Sequence, residues 1–471
     1  MIVALSVVFG LLVVIFTVVL RALQPPEDDI PSLGLIDTLN IVLRLSSHAA
    51  WQLTEPIIHK YKVMRTINFG QWVVRISSPE AIDTILKDTE TYYKMEIQPT
   101  LINTILSQFS FLNLNFNNGQ AWDQHKQKIG LPLLHMCHKI SIFYDLKEML
   151  FCMLEKEQEV DVLECTKQLT IDSLGRLLLG VELGSLNGNN TSFVHIFHPQ
   201  KDKFCAMLDP LLPLIEPQEV QGQEAIDNFF KQILDDRKAV LDKRENMNDI
   251  LSLLLKKTPD MSDQEIINDI RVLFITGCDT TSFAMSITLF LLAKYPDLQK
   301  KIHDEIISIS GTHMPNNDEL DSMKHLEAFI LETLRLHPPC TIIPPRFTTK
   351  DVTLCSFNIP RGAVLVPDLK AMLSDAEYWP NPTQFNLDRF LSQSSSLFLP
   401  FGGSEATYMG FGFGFQLQRT IICAILQKYE IQLSRATELE FHPSFLTRPK
   451  PFNLKFCPRS HDLEECISAA G

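Results

Sequence analysis

The stretch from Ser262 to Tyr295 constrains this chain more than any other. It opens on Ser262-Asp-Gln-Glu265, an alcohol followed three residues on by Glu, the reciprocal capping pattern that starts a helix. The apolar run that follows is long and hydrophobic nearly all round. That pattern predicts a helix buried at the centre of a large domain, because an amphipathic surface helix would keep one polar face. Its middle, Thr276-Gly277-Cys278-Asp279-Thr280-Thr281, breaks the pattern. A mid-helix Gly costs about 1 kcal/mol against Ala, and a buried carboxylate costs several unless it is satisfied. Such cost is expected where residues do chemistry. Asp279 and Thr280 are therefore candidate catalytic residues, an acid and an alcohol able to pass protons. The plain alternative is a polar kink satisfied within the helix.

Composition narrows the class. The chain has 471 residues, 45% hydrophobic and 21% charged, which fits a globular protein; length alone suggests two or three domains. A net charge of -14 argues against a nucleic-acid partner and is more acidic than expected for a body resting on anionic lipid. The ten cysteines form no CxxC pair and read as free thiols in a reducing compartment. Ile2 to Leu20 is uncharged and long enough to cross ~30 Å of hydrocarbon, and Pro25-Pro26 cannot continue that helix. This predicts a single N-terminal membrane pass over residues 1–24, hinge included, with the body at 25–471. A cleaved secretory signal is the rival, but no positive charge precedes the apolar run. Arg21 favours a cytosolic body, where the sequon at Asn189 would stay unmodified.

Trp72-Val-Val-Arg-Ile76 reads as a strand running into a helix that starts at Ser77-Ser78-Pro79-Glu80. Trp122 and Lys126, four apart, are expected on one helix face. Asp172-Ser173 reads as a helix cap. Ile226, Phe229, Phe230, Ile233 and Leu234 fall on one helical stripe. Residues 193–220 are Pro- and Leu-rich and give no contact to assign.

A second cluster follows in fixed order: Glu332-Thr-Leu-Arg335, a helix end at Pro338-Pro339, Pro345-Arg346, Pro360-Arg361-Gly362, Trp379-Pro380, and Phe385-Asn386-Leu387-Asp388-Arg389-Phe390. Last comes a Pro-Phe-Gly-Gly loop, an alternation of Gly and Phe, and an apolar helix. With the Asp279-Thr280 motif, this order and spacing resemble the cytochrome P-450 family, over the whole chain after the anchor. The resemblance implies a mainly α fold: a large helical haem domain with a small β-rich lobe, following an N-terminal transmembrane helix. It implies that Glu332, Arg335 and Arg389 form a buried ion-pair triad. Trp122 with Lys126 would hold one haem propionate and Arg346 the other. Gly277 would open a groove for dioxygen, with Asp279 and Thr280 relaying protons. The implied activity is haem-dependent oxygen insertion into a hydrophobic small molecule. Electrons would come from NADPH through a reductase, and the body would sit at the endoplasmic reticulum membrane, against lipid and facing the cytosol.

One loop departs from the family pattern. Phe401 and Gly410 stand at its two ends, nine apart, but Ser404 replaces a Gly, Ala406 an Arg, and Tyr408 the Cys that binds iron. Cys423 lies 15 residues on, about 22 Å along a helix. A thiolate favours O–O cleavage, and an unperturbed phenol ionises only near pH ~10. Three readings stay open: a monooxygenase with impaired thiolate chemistry, a pseudoenzyme binding lipid or a partner on the same fold, and a haem protein ligated by Tyr408.

Overall fold

The computed structural model describes residues 24–26, 28–42, 47–68, 71–94, 126–130, 133, 136, 141–155, 159–187, 221–241, 249–392, 410–434, 438–442 and 446–459. The apolar segment Ile2–Leu20, the sequon, residues 193–220, Trp122, Phe401 and Tyr408 lie outside them.

The fold is mainly helical and built around the predicted central helix, Asp263–Lys294, here the core helix. Both halves of the capping box form: the Glu265 amide donates to Ser262 Oγ at 3.3 Å, and the Ser262 amide donates to the Glu265 carboxylate at 2.8 Å. The core helix is long and apolar enough to cross a membrane, yet 89% of its most apolar window is buried inside the fold. Its chief neighbour is the helix Val162–Leu174; it also packs on the helix Lys324–Leu336 and on the terminal helix, Phe411–Lys428. These helices share one hydrophobic core, whose centre includes Phe274, Met285, Phe329 and Leu417. The stripe predicted around Phe230 lies on the helix Gln221–Val240, where Phe230 and Leu234 are buried against that core.

Among the described residues ten strands form three sheets. The largest contains β1 (Val63–Asn68), β2 (Gln71–Ile76) and β3 (Tyr92–Lys94) from the N-terminal part, with β5 (Arg346–Thr348) and β8 (Val364–Pro367), in the order β1-β2-β8-β5-β3. β4 (Val160–Asp161), β10 (Asn453–Pro458) and β9 (Tyr429–Leu433) form the second, and β6 (Val352–Leu354) with β7 (Phe357–Ile359) the third. The predicted strand at Trp72–Ile76 is β2, and the helix after it, Pro79–Lys87, starts as expected: the Ala81 amide donates to Ser78 Oγ at 3.2 Å, with Pro79 in the first turn.

One sequence expectation needs correction. Asp172-Ser173 caps no helix. Asp161 caps Val162–Leu174, accepting from the Glu164 amide at 3.1 Å, and Asp172 lies in the last turn of that helix. Its carboxylate instead accepts from the Ser185 and Leu186 amides at 2.8 and 2.9 Å, tying the following loop back onto the helix. The Gly-Phe alternation forms the first turns of the terminal helix, beginning at Phe411. Phe413 enters the core, while Phe411 and Phe415 stack on each other with centroids 5.2 Å apart.

Candidate functional site

The polar middle of the core helix is held by its own backbone. Thr280 Oγ1 donates to the Thr276 carbonyl at 2.7 Å, and Thr276 Oγ1 to the Val272 carbonyl at 2.7 Å. Such back-bonds four residues apart satisfy an alcohol inside a helix. Asp279 is 4% exposed. Gly277 faces the helix Val162–Leu174: a Cβ there would lie 3.2 Å from Leu174 Cδ2. Close packing against that helix is thus one demand on this glycine.

The terminal helix crosses the core helix beside this segment. A Cβ on Gly414 would stand 3.0 Å from Thr281 Oγ1, so only Gly lets the two backbones approach this closely. Thr288 Oγ1 meets Gln418 Oε1 at 3.2 Å one helical repeat further along. Gly410 occupies the N-cap of the terminal helix, about 6 Å along the axis from Gly414. In the sequence Tyr408 comes two residues before that cap.

Among the described cysteines none offers a replacement thiolate there. Cys423 is fully buried in the terminal helix with its thiol against Ser310, and burial pushes that thiol up to about 12. Cys278 is fully buried within the core helix.

Glu332, Arg335 and Arg389 meet behind this region. Glu332 has no exposed surface. Arg335 forms a two-pronged pair with it, Nε to Oε2 at 2.7 Å and Nη2 to Oε1 at 2.9 Å. Arg389 Nε stands 3.4 Å from the same Oε1, and the Asn386 amide donates to it at 3.0 Å. The remaining donors reach backbone: Arg335 Nη1 to the Leu373 carbonyl at 3.0 Å, Arg389 Nη2 to the Pro380 carbonyl at 2.7 Å. The Arg335 guanidinium also lies over the Trp379 ring, 5.4 Å from its centroid. The arrangement fixes the loop before Arg389 onto the helix Lys324–Leu336.

Arg346 opens β5 and is 7% exposed. Its guanidinium donates to the Pro344 carbonyl at 3.2 Å and meets no carboxylate among the described residues. Burial alone pulls its pKa down to about 10. A buried cation without a counter-charge is costly, and an entering anion would relieve it. Lys126 begins a short π-helical turn, Lys126–Gly130; its side chain lies outside the described residues. Sequence reasoning overlooked Lys94, which faces Arg346 across the β3–β5 ladder. The alternation Tyr92-Tyr93-Lys94, putting Lys94 on the face of Tyr92, was its signal.

A family model described as cytochrome P450 matches residues 38–456. The chain belongs to the cytochrome P450 family. Its relatives include cytochrome P450 3A31 of Mesocricetus auratus, 28% identical over 334 residues, 65% of this chain and 66% of that protein. Cytochrome P450 4c21 of Blattella germanica is 24% identical over 467 residues, covering 90% of this chain and 91% of its own. Cytochrome P450 3A9 of Rattus norvegicus is 30% identical over 329 residues, 62% and 64% of the two chains. Members of the family use haem and oxidise hydrophobic substrates. At the carboxylate edge of such a cofactor the residues fit, since Arg346 is a buried cation that meets no carboxylate among the described residues.

Proposed function

We propose that this chain is a membrane-anchored cytochrome P450 whose fold still receives haem and a hydrophobic small molecule, but whose thiolate-driven oxygen insertion is impaired or lost. The observation that carries this reading is register. Tyr408 comes two residues before the Gly410 cap of a helix that packs directly on the Asp279-Thr280 segment. The buried thiol of Cys423 lies turns away and is held neutral. Haem, when bound, supplies oxygen activation. Around it Arg346, with Trp122 and Lys126, would hold the propionates, and Phe401 and Gly410 would frame the loop on the other face. Thr280 keeps its hydroxyl proton on the Thr276 carbonyl, with Asp279 beside it in sequence to exchange that proton. The triad of Glu332, Arg335 and Arg389 would hold the surrounding loops rigid. Residues 1–24 would anchor a body spanning 25–471 at the endoplasmic reticulum, facing the cytosol, where an NADPH-dependent reductase meets it. A pseudoenzyme that uses the same fold to bind lipid or a partner is the limit of this reading in which haem is absent.

Retention of Asp279 and Thr280 favours one second reading, a haem protein ligated by the Tyr408 phenolate and working on peroxide. One experiment separates them. The full chain in detergent is given haem, reduced and exposed to carbon monoxide. The expected result is no Soret band at the wavelength that names the family, and its gain on Tyr408→Cys combined with Ala406→Arg and Ser404→Gly. The named band in the unaltered chain would refute the loss of thiolate ligation. Absence of any Soret band in it would remove the phenolate reading.

A further inference from the structure

We infer that a small void in the core, between the core helix, the helix Val162–Leu174 and the terminal helix, is a docking site for one molecule of dioxygen. That the void takes an apolar guest stands on its lining alone; the choice of dioxygen among apolar gases rests on the proposed function. Its walls include Cys165 and Leu169 on one helix, Met285 and Leu289 on the core helix, and Ile421 and Ile425 on the terminal helix. All six are buried. Thr166 brings the only hydroxyl into the lining, and its Oγ1 donates to the Leu163 carbonyl at 3.1 Å. That bond leaves the Thr166 methyl to face the void.

Size and lining decide what can enter. The void has room for about one molecule the size of water. A buried water needs several polar partners, and this lining offers none, so water is excluded. An ion or a hydrogen-bonding solute would shed its hydration with nothing in return. Side chains that face such a gap lose part of their dispersion attraction, and an uncharged guest restores it. A small apolar diatomic meets all of these limits. The gap itself comes from two short side chains in a row, Cys165 and Thr166, in a seam otherwise made of larger apolar residues. Its position bears on its use. Met285 and Leu289 follow Thr280 on the core helix by about 7.5 and 13.5 Å of axis, so the guest lies along the helix that carries Asp279 and Thr280.

The test uses the paramagnetism of dioxygen, which speeds the nuclear relaxation of methyl groups it touches. The full chain in nonionic detergent carries isotope-labelled Met, Ile and Leu methyls, and their relaxation is compared under nitrogen and under oxygen. The difference cancels any contribution from bound iron. The methyls of Met285, Leu289 and Ile421 are expected to gain several-fold more relaxation than those of Met64 and Ile85, which are fully buried in other clusters. Thr166→Ile fills the void and should bring the gain down to the reference level. Thr166→Val keeps the shape of Thr and should leave the gain unchanged. Equal gain at the lining and reference methyls overturns the inference, and so does a gain that survives in Thr166→Ile. Should that variant fail to fold, Val162→Ile adds a methylene from another point of the wall and should lower the gain; an unchanged gain there overturns the inference. None of these readings needs haem, so a carbon monoxide spectrum that refutes the proposed function leaves the occupancy of the void to be decided by relaxation alone.

Discussion

Replacing Glu332 by Gln tests the ion-pair triad with minimal change of shape. The carboxylate has no exposed surface and takes hydrogen bonds from Arg335 Nε, Arg335 Nη2 and the Asn386 amide at 2.7, 2.9 and 3.0 Å. Glutamine keeps one oxygen. Its amide nitrogen then confronts one of the Arg335 donors, and two guanidinium groups share a buried site with no compensating charge. Breaking a buried pair by removing one partner costs about 3–5 kcal/mol. The retained acceptor returns about 1 kcal/mol, so the expected loss is about 2–4 kcal/mol. Against a whole-domain stability of about 5–15 kcal/mol this is large. Urea denaturation followed by far-UV circular dichroism reads it as a lower midpoint at unchanged slope. The double variant Glu332→Met, Arg335→Met separates pairing from burial. It removes both charges, at the expense of orphaning the Leu373 and Gln384 carbonyls that Arg335 also holds, at 3.0 and 3.4 Å. Its loss should fall short of the summed single losses by more than about 1 kcal/mol, because contacting residues are not additive. A loss below about 1 kcal/mol for Glu332→Gln, or strict additivity in the double variant, would refute the triad as a coupled unit.

His337 follows the same helix and stacks on Phe441, with centroids 5.3 Å apart; burial first, then the Arg335 charge, pulls its pKa from 6.5 down to about 4. A depressed folded value means that the unfolded chain binds the proton first. Stability is therefore present above pH 6.5 and is lost as the pH falls toward 4, by about 2 kcal/mol for this partly buried ring. Denaturation midpoints across that window should flatten in His337→Phe, and an unchanged slope would remove His337 as the cause. Gly180 closes the π-helical turn Gly175–Leu179 at a φ of 63°. A Cβ there would meet Asp249 Oδ2 at 2.7 Å and Arg237 Nη2 at 2.8 Å, inside the buried Arg237–Asp249 pair. Gly180→Ala should cost about 2–3 kcal/mol, of which about 1–2 kcal/mol is the left-handed backbone. A melting temperature equal to that of the unaltered chain would show that the turn relaxes.

Local signals in the sequence were the dependable ones. The Ser262 capping box, the Ser78 cap and the apolar run between Ile266 and Ala293 each involve residues a turn or two apart, and each formed as read. The meeting of Glu332 with Arg389 was legible only through motif order, since the two are 57 residues apart in the chain. Asp172 misled because a capping residue type can instead serve the loop that follows, from the last turn of its helix. The approach of Leu174 to Gly277 was not legible, because Leu174 lies on another helix. Lys94 went unread for the same reason: only the pairing of β3 with β5 sets it against Arg346. Strand partnership between distant segments leaves no periodic mark in either strand.

The main sheet has a consequence for biosynthesis. β2 pairs in parallel with β8, Val74 with Leu365, 291 positions apart in the chain. At about 5–20 residues per second a ribosome needs roughly 15–60 s to emit that interval. Throughout it the β1–β2 hairpin waits with one open hydrogen-bonding edge and a buried face not yet covered. Such an edge is a template for pairing with other chains. This nascent protein should depend on a holding chaperone during that delay, and stalled chains ending before residue 364 should be the species that chaperone retains.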